Sequence, residues 1–67
     1  MNTRTRHFTD EHKRGDTVLI IRTAHGWFDG RVSGVITNIS PGACEVMCLE
    51  GEWNGTLFEI EHPRDIS

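Results

Sequence analysis

The chain has 67 residues, a net charge of −3 and two cysteines, so it is long enough for one domain and too poor in cysteine for a disulfide framework. A domain of this size buries only about 60% of the surface of its unfolded chain, which leaves little interior for a deep catalytic cavity. No secretory signal and no run near the roughly 20 apolar residues of a membrane helix is present, so we expect a cytoplasmic protein without a membrane partner.

Residues 1–14 form a polar segment in which four cations face two carboxylates, whereas residues 15–67 carry three cations and eight carboxylates. Two interpretations of this basic segment remain open. It is either a disordered, solvated tail, or Thr9 caps a short turn and lets Phe8 pack back onto the domain. We place the domain itself at residues 15–67.

The first half of this domain predicts two strands. Residues 17–22 are rich in β-branched side chains and too short for a free-standing helix. After a loop over residues 23–26, a long extended stretch runs from 27 to 39 and contains Gly30 and Gly34. A glycine inside a strand commonly marks a bulge or a sharp bend, which a small barrel needs in order to close.

The second half predicts two more strands and a terminal turn. Residues 40–42 read Ser-Pro-Gly, a strong turn signal, and are followed by a strand over 43–50. After a connection over 51–55, residues 56–61 alternate between apolar and polar side chains. Residues 62–65 suit a 3₁₀ turn that delivers Ile66 to the barrel as a plug. The pattern predicts an all-β fold, a single small SH3-like barrel of about five short antiparallel strands.

The alternation also separates inward from outward side chains and leaves a surplus of apolar residues. The expected core consists of Val18, Ile20, Val32, Ile36, Val46, Phe58 and Ile60, with Cys44 and Cys48 filling in. The surplus consists of Leu19, Ile21, Val35, Met47 and Leu49, with Trp27 and Trp53 in loops nearby. Either this surplus forms a surface for a partner, or bent strands bury both faces in part and the tryptophans cap the ends of the barrel.

One stretch resembles a known family. Gly26, Phe28, Gly30, Ser33 and Val35 fall at the spacings of the KOW motif, in which a Gly, an aromatic residue, two further Gly and a Val recur. Ser33 replaces a family glycine. The resemblance implies an SH3-like barrel that serves transcription or translation machinery through nucleic-acid or protein contacts.

The loop positions that match the contact surface of that family are Trp27, Asp29 and Arg31. Asp29 stands where the family often has a basic residue, which favours a protein surface over direct contact with RNA or DNA. The order of elements also resembles the plasmid-borne type II dihydrofolate reductases. Their catalytic Val-Gln-Ile-Tyr is replaced here by residues 57–60, Leu-Phe-Glu-Ile, so this second resemblance implies a shared fold without the activity.

No arrangement of residues indicates a catalytic site, a metal site or a cofactor. Four residues along a strand separate Cys44 from Cys48 by roughly 13 Å, too far to share one ion. Buried free thiols are the interpretation that fits this spacing.

These patterns favour a non-enzymatic module that docks onto a protein, as a monomer or a homodimer, in the role of a phage or plasmid accessory regulator. The expected contact residues are Trp27, Met47, Leu49 and Trp53, with an acidic rim of Glu50, Glu52 and Glu59. The alternative is a KOW-like nucleic-acid-binding domain that uses Arg4, Arg6, Lys13, Arg14 and Arg31 on phosphates. A reductase like the type II enzymes is a distant third.

Overall fold

The computed structural model describes residues 7–24 and 26–67, and it describes residues 27–30 by their backbone alone. Arg4, Arg6 and the side chains of Trp27 and Asp29 therefore lie outside the described part. Four antiparallel strands pair in sequence order and curl into a half-barrel. They are β1 (Thr17–Thr23), β2 (Gly26–Ser40), β3 (Ala43–Cys48) and β4 (Leu57–Ile60).

The described residues contain four strands rather than the five expected, and three 3₁₀ turns, Phe8–Asp10, Gly51–Trp53 and Pro63–Asp65. The last turn was predicted and is confirmed. It brings Ile66 back to a single bridge with Ile20. Pro63 begins a turn after β4, and Ser67 then exchanges two backbone hydrogen bonds of 2.9 Å with Leu19 on β1.

The predicted core is confirmed. Its members are almost completely buried, with Val32 half-buried against them, and Ile66 joins the cluster as expected. Each inward residue of one strand packs against those of the next because a strand alternates its side chains between two faces. The core residues are Phe8, Val18, Ile20, Ile36, Cys44, Val46, Cys48, Phe58, Ile60 and Ile66.

Phe8 belongs to this core and is 1% exposed. Its backbone N–H donates to the carbonyl oxygen of Pro41 at 3.1 Å, which ties the start of the described chain to the turn between β2 and β3. His7 rather than Thr9 is the N-cap residue, and the carboxylate of Asp10 accepts the His7 N–H at 3.0 Å. Of the two interpretations left open, the structure supports the one in which Phe8 packs onto the domain.

Gly34 keeps regular pairing with Val18 on β1 and Cys48 on β3, so it does not mark a bulge. It faces the core at a point where nothing larger fits. A Cβ atom there would lie 2.5 Å from Cγ1 of Val46 and 2.8 Å from Cδ1 of Ile20. Close packing inside the half-barrel, rather than a bend, explains this glycine.

The register shifts lie elsewhere on β2, and one of them, between the pairs Ile20–Val32 and Arg22–Trp27, spans Gly30, where the sequence predicts a bulge or bend. Between β2 and β3, the pairs Ile36–Val46 and Asn38–Glu45 leave Thr37 as an extra residue. Its hydroxyl lies 3.2 Å from the Glu45 carbonyl oxygen and 2.9 Å from Oε1 of the same residue, so it replaces a bond that the bulge removes from the ladder.

Candidate functional site

The outward face of the sheet carries a continuous apolar row. Register places Thr17 opposite Val35, Val35 opposite Met47, and Met47 opposite Leu57, so one row crosses all four strands and is apolar on β2, β3 and β4. Val35 and Met47 are half-buried, while Leu57 is 52% exposed. Half of a leucine side chain is thus left in water where it adjoins other apolar groups.

A second row lies beside the first. Leu19 pairs with Ser33, and the N–H of Leu49 donates to the Ser33 carbonyl at 2.9 Å, which extends the ladder one residue beyond β3. Leu19 and Leu49 are 38% and 40% exposed. We call the two rows together the outer band, which consists of Leu19, Val35, Met47, Leu49 and Leu57.

One end of the outer band is acidic. Glu45 on β3 lies directly opposite Glu59 on β4, two residues from Met47 and Leu57 respectively. Directly opposed side chains of a sheet have Cβ atoms about 5 Å apart, at which distance like charges repel. None of the described cations forms a salt bridge with either carboxylate. The pair therefore concentrates negative charge at this end of the band, where Oε1 of Glu45 already accepts the Thr37 hydroxyl at 2.9 Å.

An open pocket of about 170 Å³ adjoins this acidic pair. It lies between the turn that joins β2 to β3 and the C-terminal end of β4, with Asn38, Ser40 and Ala43 contributing to its wall beside Glu45 and Glu59. Its lining is mixed, since Ile39 and Cys44 contribute apolar surface beside the amide, hydroxyl and carboxylate groups. Such a wall suits a side chain that combines an apolar stem with a polar end.

Glu50 and Glu52, predicted for the acidic rim, lie at the opposite end of the band and are exposed. Glu50 has a structural partner, because its Oε2 accepts the backbone N–H of Ser33 at 2.8 Å. Hydrogen bonds from the Ser33 side chain and then from its N–H lower the pKa of Glu50 below its ordinary value. This carboxylate therefore holds the end of β3 against β2 as well as adding negative charge.

Trp53 occupies a different side of the sheet. Its ring lies 6.0 Å from that of Phe58, at an interplanar angle of 70°, the edge-to-face arrangement that aromatic rings favour. Phe58 faces the core while its neighbour Leu57 faces outward. Trp53, 48% exposed, thus covers an end of the core, whereas Met47 and Leu49 belong to the outer band.

The outward edge of β4 leaves backbone groups exposed. Cys48 N–H donates to the Thr56 carbonyl at 2.9 Å, so these two residues form a hydrogen-bonded pair of the β3–β4 ladder. Hydrogen-bonded and non-hydrogen-bonded pairs alternate along an antiparallel ladder, so the N–H and C=O groups of Leu57 and Glu59 point away from β3. The Glu59 carbonyl accepts the Ala24 N–H at 3.1 Å, but the remaining three groups find no partner among the residues described here.

The basic residues proposed for nucleic acid are dispersed in the described part of the chain. Lys13, Arg14 and Arg31 are exposed. Gly15, next to Arg14, bonds to the carbonyl of Ile36, which lies five residues and roughly 16 Å along β2 from Arg31. These three cations do not form one face, and Arg4 and Arg6 lie outside the described residues.

The two thiols are buried and unpaired, as expected, and burial raises the pKa of Cys44 to about 11. Within the described residues, no group of three His, Cys, Asp or Glu side chains is placed to hold a metal ion. The same residues include no helix that is long and apolar enough to cross a membrane.

Sequence reasoning missed two residues of this site, Leu57 and Glu45, as contact candidates. The alternation of residues 56–61 places Leu57 outward, a signal that was available. The opposition of Glu45 to Glu59 depends on strand register, which no local pattern specifies. Comparison with known proteins adds nothing to this site, since no family model, curated protein or solved structure matches the chain.

Proposed function

We propose that this chain is a non-enzymatic module that binds another protein through the outer band, on a small barrel of SH3-like type. The half-barrel of four antiparallel strands, with a terminal 3₁₀ turn that returns Ile66 to β1, supports the fold assignment. Under this proposal the chain acts by occupying a surface of its partner. The KOW resemblance of residues 26–35 makes a component of transcription or translation machinery the first partner to examine.

The observation that carries the proposal is the exposure of adjoining apolar side chains on a sheet that already has a full core. Leu19, Leu49 and Leu57 each leave about two-fifths to one-half of their surface in water, beside half-buried Val35 and Met47. Covering such side chains is worth about 25 cal/mol for each Å² removed from water. Contiguous apolar patches on a small domain commonly mark a docking surface.

Parallel pulldowns from untreated and nuclease-treated lysate test the proposal, with three variants compared at equal folded concentration. Leu57→Asp places a charge in the outer band, and because the side chain is half exposed, we expect the fold to survive. Trp53→Ala changes the opposite side of the sheet, and Arg64→Ala, at an exposed cation outside both proposed surfaces, serves as a surface control. We expect loss of one specific partner with Leu57→Asp alone.

Two results would overturn this function. Recovery that is unchanged by Leu57→Asp but lost with Trp53→Ala would move the contact surface to the end of the core. Association that disappears on nuclease treatment would favour the nucleic-acid alternative, whose cations include Lys13, Arg14 and Arg31.

A further inference from the structure

The outer band, its acidic end and the edge of β4 meet along a single strand, and Ala24 already donates its N–H to the Glu59 carbonyl on that edge at 3.1 Å. Leu57 and Glu59 stand two residues apart on β4, on the same outward face. Their backbone groups are the ones that point away from β3. A segment that takes the place of Ala24 beside Glu59 and continues past Leu57 would therefore put alternate side chains next to these two residues.

From this geometry we propose that the partner presents an extended segment laid along β4. In that segment an apolar residue and an arginine or lysine occupy positions i and i+2 on the outward face. The inference rests on the proposed function and specifies the chemistry of the partner. The apolar residue packs beside Leu57 on the outer band, and the cation lies between Glu45 and Glu59.

Charge complementarity selects the cation. Glu45 and Glu59 oppose each other without a described counter-ion, so a guanidinium or ammonium group between them removes a repulsion as it gains two attractions. The neighbouring pocket of about 170 Å³, with Asn38 and Ser40 in its wall, accommodates the end of a long cationic side chain. A neutral or acidic side chain at the same place would leave the carboxylate pair unrelieved.

The outward-pointing backbone groups on the edge of β4 favour a partner segment in the extended conformation. The N–H and C=O of Leu57 and the N–H of Glu59 have no partner among the described residues, and an added strand satisfies such groups with main-chain bonds. Side chains of an added strand alternate between faces, which gives the i, i+2 spacing.

A second copy of this chain fits the surface poorly. Its own β4 would present Leu57 and Glu59, an apolar residue and an acid, in place of the apolar residue and cation that the surface requires. The chain also carries a net charge of −3, so two copies repel each other at low ionic strength.

Fluorescence anisotropy with labelled peptides tests the proposal on the full chain. The probe is two repeats of Leu-Thr-Arg-Thr, compared with peptides in which glutamine or glutamate replaces both arginines. We expect the arginine peptide to bind at least about tenfold more tightly than either, a difference of about 1.4 kcal/mol. Its affinity should also fall as salt is added.

Matched variants locate the contact. Glu45→Gln/Glu59→Gln and Glu11→Gln/Glu52→Gln change the net charge equally, but only the first pair removes the acidic end of the band. We expect the first variant to weaken the arginine peptide about tenfold and the second about twofold or less, since dispersed surface charge is screened. An equal loss of peptide affinity in both double variants would overturn the proposed contact, since it would indicate only nonspecific charge attraction.

Backbone methylation tests the strand geometry. Two versions of the arginine peptide carry N-methyl groups on alternate residues, so that only one of them loses the N–H groups that face β4. We expect one version to lose binding and the other to retain it. Equal affinity of the two versions would overturn addition along the β4 edge.

The remaining outcomes separate this inference from the proposed function. If a specific protein is captured through Leu57 but the three peptides bind alike or not at all, the proposed function stands. The proposed partner segment with its arginine or lysine is then wrong. Dimers that Leu57→Asp dissociates would assign the band to a second copy. Peptide binding that begins only after residues 1–6 are removed would assign it to the chain's own basic segment. Either result would overturn the proposal.

Discussion

Replacement of Gly34 by alanine should destabilise the fold, although a Gly→Ala substitution usually stabilises a folded protein where alanine can adopt the native backbone conformation. The added methyl group would lie 2.5 Å from Val46 Cγ1, 2.8 Å from Ile20 Cδ1 and 3.1 Å from the Met47 carbonyl oxygen. Ile20 and Val46 are both 0% exposed, so neither side chain has space to retreat. Overpacking of a filled core costs about 1–3 kcal/mol.

Gly42 provides the matched control in the turn between β2 and β3. A Cβ atom there would have no neighbour within 4 Å, and the residue has no left-handed backbone conformation. Gly42→Ala should therefore stabilise the protein by about 0.4–1 kcal/mol, because alanine reduces the entropy of the unfolded chain. The same chemical change thus has opposite signs at the two positions.

Urea and thermal unfolding followed by circular dichroism measure both variants. A separation on the order of 2 kcal/mol corresponds to roughly 8–16 °C between their melting temperatures for a domain of this size. Val46→Ala removes the atom nearest to the new methyl group, so Gly34→Ala should cost less in that background. Equal stability of Gly34→Ala and Gly42→Ala would refute the packing argument.

Three further predictions concern stability and reactivity. Phe8→Ala should cost about 3–5 kcal/mol, and an unchanged urea midpoint would contradict its place in the core. Because hydrogen bonds lower the pKa of Glu50 below 4.5, its stabilisation is present above that pH and is lost as pH falls through the lowered value. Glu50→Gln should therefore differ from wild type at pH 7 and converge with it in acid, whereas Glu52→Gln should match wild type throughout. Buried Cys44 and Cys48 should react with a thiol reagent at pH 8 only on unfolding, so rapid native labelling would oppose this structure.

Some features could be predicted from local patterns because the side chains of a strand alternate between its two faces, with a period of two residues. Alternation in residues 56–61 identifies Phe58 and Ile60 as inward, and the Ser-Pro-Gly at 40–42 identifies the turn before β3. Both signals involve neighbouring residues, so they need no knowledge of the remaining chain. The 3₁₀ turn over Gly51–Trp53 gave no such signal, since its residues carry no periodic apolar pattern.

By itself the sequence determined an all-β chain, its inward residues and an apolar surplus. Only the tertiary structure decided that Glu45 opposes Glu59, that Met47 meets Leu57, and that Phe8 completes the core. The physical reason is that strand register and the closing of long loops depend on contacts between distant residues, and local preferences of the chain leave those contacts open.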